Sequence, residues 1–403
     1  MATLVVLVLA NIFIGKWGFA NMISTGADTT DVADLAVSLG PADPQTHYTA
    51  AVLYDKTFLA SDQNRSISEY ETALALSPHN YLLWLEYGKA LNRNGELERA
   101  ESALRQAQVL APNYASVAWA LGNLLVRSGK EGEGFEQIRR AIDGDPTLAA
   151  PATAFAYQYF DGDLSQIKQF AGASPEANVS LASLLAKNKR FDDAVSVWSS
   201  VAGRINSQSA LAAGRSLVTE LITTGKYQLA ASVENLLGET DTVNIGTIHD
   251  GSFEEGLKLE NAGPFDWQFS AGAQPQPLQS TAGPHGGTKS LVLRYGSNDG
   301  NSLRQVSQTV VLRPGGKYTL HGFYRSDLKT SSQIVWQVMA SKSAISEIPV
   351  YAAANNWTEF IGAFTVPPNV DGIDLRLVVK GCGSAICPIN GSLWFDDISL
   401  IQN

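Results

Sequence analysis

The sequence predicts a multidomain protein, with an all-α solenoid of helical repeats followed by an all-β sandwich. Its 403 residues exceed what one hydrophobic core usually serves. Pro78, Pro112 and Pro146 recur at a spacing of 34 residues, each at the end of a helical stretch. After about residue 240, the Ala-rich sequence is replaced by one rich in Gly, Thr, Val, Tyr and Trp, and apolar residues recur every 2 instead of every 3.6 positions.

The composition excludes several classes of protein. With 45% hydrophobic and 17% charged residues, the chain is neither disordered nor a polytopic membrane protein. Nucleic-acid affinity comes largely from Lys and Arg that neutralise phosphates, so a net charge of −10 argues against a nucleic-acid partner. The chain has no Gly-x-Ser-x-Gly elbow, His-Glu-x-x-His motif or Gly-rich phosphate loop, and we therefore expect no enzyme activity.

Residues 1–23 form a separate apolar segment. The run from Thr3 to Gly15 carries no charge and is followed by Lys16 and Trp17. A hydrocarbon core of ~30 Å needs about 20 residues, a length that is reached when the run is extended to Ile23. Lys16 can then reach the interface beside Trp17. We interpret the segment as an uncleaved single-pass membrane anchor, with a signal peptide as the alternative.

The repeat unit that begins at Tyr81 carries a signature on each of two helices. The first helix has Trp84, Tyr87, Gly88 and Leu91, and the second has Ala100, Leu104, Ala107 and Pro112. This pattern and its period resemble tetratricopeptide repeats. Small residues at Gly88 and Ala100 permit close approach where the paired helices cross, and Leu104 fills the space between them.

The resemblance implies a tetratricopeptide-type array over residues 28–240, with five to six degenerate units. Beyond Pro146 the 34-residue period is less regular, although the sequence still has the pattern of helices. Such an array forms a curved solenoid whose concave face suits a peptide or protein partner. A purely structural spacer is the alternative, because the recognisable positions are packing positions.

Residues 243–403 have the alternating pattern of strands with one buried face. Ile373, Leu375 and Leu377 alternate with polar residues, and Gly-rich turns such as Pro314-Gly315-Gly316 separate successive strands. Eight to ten such strands fit a jelly-roll sandwich.

Both ends of this region resemble those of carbohydrate-binding modules, which have a galactose-binding-like jelly-roll fold. The opening Asp250-Gly-Ser-Phe253-Glu254 and the closing Leu-Trp394-Phe-Asp396-Asp397 carry the resemblance, which covers residues 247–402. Many members of that family hold a structural calcium ion where the first and last strands meet. The resemblance therefore implies calcium ligands at Glu254 and at Asp396 or Asp397, which supply hard oxygen atoms. Alternatively, these acids cap a strand end in solvent.

Glycan binding requires exposed aromatic faces beside amide or guanidinium donors. The candidate ligand-binding residues are Trp336 with Gln333 and Gln337, and Arg325 with Tyr324. Trp336 shares a strand face with Ile334 and Val338, so a core position is its alternative. We expect Trp267, Trp357 and Trp394 to lie in the core.

The two cysteines, Cys382 and Cys387, lie close together in a turn-like stretch. A disulfide between them would contribute on the order of 2 kcal/mol and would require an oxidising compartment. Two unlinked thiols are the alternative, and no nearby His or further Cys completes a zinc site.

Together these features predict a non-catalytic protein, anchored in the cell membrane with both domains on the periplasmic or extracellular side. The array would bind a protein partner and the sandwich a glycan, in exopolysaccharide assembly or export. The alternative is a scaffold of an envelope complex that binds only proteins.

Overall fold

In a computed structural model, the described residues are 2–172, 174–239, 241–298, 303–351, 353–381 and 387–403; the side chains of residues 2–13 and 353 are not among them. The chain divides into two compact units, Met1–Ser180 and Leu181–Asn403.

Fourteen α-helices precede the strands in the described part of the chain. They are α1 Ala2–Gly26, α2 Thr30–Leu39, α3 Pro44–Asp55, α4 Ala60–Leu76, α5 Tyr81–Arg93, α6 Leu97–Leu110, α7 Ala115–Arg127, α8 Glu131–Gly144, α9 Ala149–Tyr159, α10 Leu164–Ala171, α11 Pro175–Lys187, α12 Phe191–Val201, α13 Gln208–Thr223 and α14 Tyr227–Leu237.

Helices pair into hairpins such as α3/α4, α5/α6 and α7/α8, and the starts of α5, α7 and α9 follow the predicted period of 34 residues. In the α5/α6 hairpin, a Cβ added at Gly88 would lie 2.7 Å from Cγ of Leu104. In the α7/α8 hairpin, a Cβ at Gly122 would lie 2.8 Å from the carbonyl oxygen of Gly134. Glycine is therefore required at both crossings, as expected from the sequence for Gly88. Leu91 and Leu104 are buried between the helices.

In the residues that the structure describes, ten strands form two antiparallel five-stranded sheets. They are β1 Gln268–Phe269, β2 Gln276–Ser280, β3 Ser290–Ser297, β4 Val306–Val311, β5 Lys317–Asp327, β6 Gln333–Ala340, β7 Ser343–Val350, β8 Ala353–Thr365, β9 Gly372–Lys380 and β10 Ile389–Gln402. One sheet has the order β1-β4-β9-β6-β7 and the other β2-β3-β10-β5-β8. The predicted fold class, helical array then jelly-roll sandwich, is confirmed.

The sandwich core lies between the facing sides of the two sheets. Alternate residues of β5 are buried, including Tyr318, Leu320 and Tyr324, because successive side chains of a strand point to opposite faces. The segment that opens the domain closes the core against the last strand. Ile398 N donates to Gly251 O at 2.8 Å, and a Cβ at Gly251 would lie 1.9 Å from Ile398 O, so only glycine fits there.

The last helix packs against the sandwich within the second unit. The carboxylate of Asp371, in the loop before β9, accepts the backbone N–H groups of Tyr227 and Gln228, each at 3.0 Å. Gln228 Nε2 donates to the carbonyl oxygen of Leu312 at 3.0 Å. The ring of Tyr227 is buried, and a Cβ at Gly372 would lie 2.6 Å from its Cγ.

Candidate ligand-binding site

The solvent-facing side of the sheet β2-β3-β10-β5-β8, which we call the outer face, carries a cluster of aromatic and cationic side chains. On β5, His321, Phe323 and Arg325 alternate with core residues and are half-buried. Trp357 of β8 and Trp394 of β10 flank Arg325 and are also half-buried. This combination of flat rings and a guanidinium group is suited to a ligand with ring faces and polar substituents.

Arg325 is held between the two tryptophan rings. Its guanidinium carbon lies 4.7 Å from the ring centroid of Trp394, its partner across the β5/β10 ladder, and 5.3 Å from that of Trp357. One terminal nitrogen donates to Ala282 O at 2.8 Å, and Trp357 Nε1 donates to Gly283 O at 3.1 Å. The cation–π contacts and these hydrogen bonds pre-organise the group.

The loop before β3 adds His285 to the outer face. Its ring stacks on Phe323 with centroids 3.6 Å apart and planes 14° apart, and it meets Trp357 edge-on at 5.9 Å. Its Nδ1 lies 2.7 Å from Asp397 Oδ2. Through Arg325, Trp357 and His285, the cluster thus extends from Trp394 to Phe323.

The charges on this face are unequally paired. Two neighbouring carboxylates contact histidines: Glu359 lies 2.8 Å from His321 Nε2, and Asp397 is bonded to His285. A third, Asp327, lies two residues after Arg325 on the same side of β5 and accepts from the N–H group of Ser392. Arg325 forms no ion pair with any residue that the structure describes, and neither does Arg294 on β3. Arg294 pairs with Ser392, two residues before Trp394, so both arginines lie on the outer face. Within the described part of the chain, these two guanidinium groups therefore have no carboxylate at ion-pair distance.

The structure separates the sequence-predicted ligand residues. Trp336 is 0% exposed and packs in the core against Trp267, Phe360 and Phe395. The expectation that Trp336 is a stacking platform is corrected, because a buried ring offers no face to a ligand.

Of the other predicted ligand residues, Arg325 alone lies on the outer face. Tyr324 is 2% exposed and fills the core, which removes it from the candidate site as well. Gln333 and Gln337 are on β6, in the other sheet, where Gln337 Nε2 donates to Glu347 Oε1 at 2.9 Å.

Sequence reasoning missed Trp357, Trp394 and His285. The expected core positions of Trp357 and Trp394 are corrected, since both rings lie half-buried against Arg325. The alternation of β10 did contain a signal for Trp394. Its neighbours Leu393 and Phe395 are the buried residues of the strand, so Trp394 between them points to the opposite side. Trp267, by contrast, is in the core as expected.

The predicted calcium ligands bind the loop of residues 285–289. Glu254 accepts from the hydroxyl of Thr288 at 2.6 Å and from the N–H groups of Thr288 and Lys289 at 2.7 and 2.9 Å. These bonds hold the pKa of Glu254 below its usual range. A calcium ion, which binds oxygen atoms, would have to displace these donors.

Asp396 of β10 is buried, and burial raises its pKa. Its Oδ2 accepts the N–H groups of His285 and Gly286 at 2.8 and 3.2 Å. As arranged, the carboxylates of Glu254 and Asp396 therefore hold the loop of residues 285–289 in place, a role that fits their contacts better than calcium binding does. Calcium binding stays a prediction, tested by whether calcium raises the unfolding temperature of the wild type and not that of Glu254→Gln.

The predicted disulfide and the predicted membrane anchor fall partly on residues that the structure does not describe. Cys382 lies outside the described residues, while Cys387 is buried with its Sγ 3.1 Å from Ser332 Oγ. The membrane segment of residues 1–23 overlaps residues 1–13, whose side chains are not described. In the remainder of the chain, we find no helix of the length and apolar character that a bilayer crossing demands.

Comparison with known proteins supports the helical assignment. A tetratricopeptide-repeat family model matches residues 60–130, and no curated protein sequence matches the chain. Among solved structures, the chain is similar to a family 16 carbohydrate-binding module, with 20% identity over 38% of this chain and 98% of that one and a TM-score of 0.29.

Two further solved structures are similar to the chain. PilF of Pseudomonas aeruginosa has 16% identity over 57% of this chain and 95% of that one, with a TM-score of 0.33. MamA of Desulfovibrio magneticus RS-1 has 18% identity over 38% and 91%, with a TM-score of 0.34. At these values the likenesses concern the fold alone and assign no ligand.

Proposed function

We propose that this chain, which joins tetratricopeptide repeats to a jelly-roll sandwich of the carbohydrate-binding-module type, is a non-catalytic binding protein of the cell envelope. Its sandwich binds an acidic polysaccharide, and its helical array binds a protein partner. The observation that carries the proposal is Arg325, which is held between Trp357 and Trp394 on the outer face and has no carboxylate partner among the described residues.

The aromatic groups supply the affinity for sugar rings. A pyranose buries its apolar face on an aromatic ring while its hydroxyls need polar partners at the edge. Trp357 and Trp394 offer the rings, and Arg325 and His285 offer donors beside them. Removing one ring should cost about 1.5 kcal/mol, roughly a tenfold loss of affinity.

The two arginines of the outer face support an acidic glycan. Arg294 and Arg325 form no ion pair with a described residue, so both guanidinium groups are available to a carboxylate of the ligand. Guanidinium groups bind carboxylates bidentately and more strongly than neutral hydroxyls. Two such groups on one face therefore favour uronic-acid or similarly substituted sugars.

The remaining parts fit a role at the envelope. The apolar run of residues 3–15 acts as the tether, with both domains on the periplasmic or extracellular side. The repeats within residues 60–130 recruit a protein. Exopolysaccharide assembly or export is the process that would use both binding activities.

The proposal is tested by affinity gel electrophoresis of the full chain on polygalacturonate or alginate, with dextran as the neutral comparison. We expect retardation on the acidic gels that weakens about tenfold in Trp357→Ala and in Arg325→Gln. Tyr351→Ala is the matched control, because Tyr351 is 66% exposed and follows β7 of the other sheet. Equal migration on all gels would instead favour the purely protein-binding scaffold.

A further inference from the structure

A second cluster of titratable groups lies where the linker after α14 enters the sandwich. His249 Nε2 is 3.0 Å from Asp266 Oδ1, 3.7 Å from Glu255 Oε2 and 3.9 Å from Asp241 Oδ2. The four residues lie within the segment 241–266 that connects α14 to β1, and none belongs to a strand of the outer face. We propose that Asp241, His249 and Glu255, with Asp266, bind a divalent transition-metal ion of the zinc class.

The donor geometry suits such an ion. The ligand atoms of Asp241, His249 and Glu255 all lie within 4.8 Å of one another. Bonds of about 2.1 Å in a tetrahedral site require donors about 3.4 Å apart. Asp241 and Glu255 are exposed and free to rotate, with side chains 66% and 47% accessible, so they close this gap without movement of the backbone.

Asp266 provides the fixed point of the site. Its side chain is 7% accessible, and its Oδ2 is held by Lys258 Nζ at 3.0 Å and by Gly263 N at 2.7 Å. Its Oδ1 is thereby directed at the imidazole of His249. It faces Nε2 of His249, the same nitrogen that faces Asp241 and Glu255, so Asp266 Oδ1 is placed as a fourth ligand atom and not as an outer-shell partner of the imidazole.

The net charge of the cluster and its access to solvent also favour a bound dication. Three carboxylates converge on one imidazole, and among the described residues Lys258 is the one ammonium group bonded to them. This leaves an excess of negative charge that a dication neutralises. A cavity of about 250 Å³, lined by Asp241, His249 and Asp266 among others, opens beside the cluster and provides an entry path.

The imidazole decides which ion is bound. Nitrogen ligands favour zinc, copper, iron and nickel, whereas calcium and magnesium prefer oxygen alone. The site is also separate from Glu254, whose carboxylate is bonded to Thr288 and Lys289. Zinc binding here and calcium binding at Glu254 are therefore distinguishable.

The test is titration of the chelator-treated full-length chain with Zn²⁺ by calorimetry and with Co²⁺ by visible absorption. We expect saturable binding of one equivalent, unaffected by excess Ca²⁺. His249→Ala should abolish it, and Glu255→Gln, an exposed substitution that leaves the core intact, should weaken it by at least about tenfold. His321→Ala is the matched control, because His321 contacts one carboxylate, Glu359.

Absence of saturable binding by the wild type, or equal binding by His249→Ala, would overturn the proposal and leave the cluster as an ion pair between His249 and Asp266. The glycan proposal is tested on the outer face and survives either result. Conversely, loss of polysaccharide retention leaves the metal titration unchanged.

Discussion

Replacing Asp371 by Ala is expected to loosen helix α14 from the sandwich. The helix begins at Tyr227, and the preceding Lys226 makes no side-chain capping bond. The two first-turn N–H groups are capped instead by the Asp371 carboxylate, across the tertiary contact. Loss of a capping side chain costs about 1 kcal/mol, and loss of a negative charge at a helix N-terminus about 0.5 kcal/mol more.

The sum, about 1.5 kcal/mol, corresponds to a roughly tenfold increase in local opening of α14. The helix stays mostly docked, because Gln228 still donates to Leu312 and the Tyr227 ring stays buried. Gly372→Ala should have a larger effect, since its Cβ would lie 2.6 Å from Cγ of Tyr227 and displace the ring.

Amide hydrogen exchange, resolved by peptide, measures this opening directly. Exchange should accelerate about tenfold in residues 227–237 and remain unchanged in β5. Asp192→Ala is the control, because Asp192 is an exposed acid in the first turn of α12. Unchanged exchange in α14, or acceleration spread evenly over the whole second unit, would refute a capping role for Asp371.

Three further predictions concern stability. His47 Nδ1 lies 2.5 Å from Glu69 Oε2, and this hydrogen bond raises the pKa of His47 above 6.5. The hydrogen bond therefore stabilises the fold fully below pH 6.5, and this stabilisation is lost as the pH rises through the raised pKa. The unfolding temperature of the wild type should fall over that range, and that of His47→Gln should fall less. Trp336→Leu should destabilise the sandwich by about 3 kcal/mol in denaturant titrations yet leave polysaccharide retention of the folded protein intact, whereas a stacking role would abolish retention. Gly251→Ala should destabilise by about 2 kcal/mol or more, because its Cβ would lie 1.9 Å from a carbonyl oxygen of β10, while Gly256→Ala, with no atom within 4 Å of its Cβ, serves as the control and should unfold like the wild type.

Local periodicity was sufficient to predict the architecture. The recurrence of Pro78, Pro112 and Pro146 and the small residue at Gly88 report helix crossings between neighbours in sequence. Alternation in β5 and β9 likewise reports which side of each strand is buried. Such patterns are legible because each depends on contacts within one repeat or along one strand.

The site depended on contacts that no local pattern contains. Arg325 was a candidate from the sequence, but its partners Trp357 and Trp394 are assigned by the strand order β10-β5-β8, which sets distant residues side by side. Trp336 looked equally suitable, and only the packing of one sheet on the other buries it.

The sequence by itself determined that helices precede strands and that glycine is needed where two helices cross, because helix and strand periods are properties of short segments. Tertiary structure alone decided which aromatic rings reach solvent, and it brought Asp371 to the start of α14. Those outcomes follow from long-range pairing, in which side chains far apart in the chain compete for the same buried volume and hydrogen-bond donors.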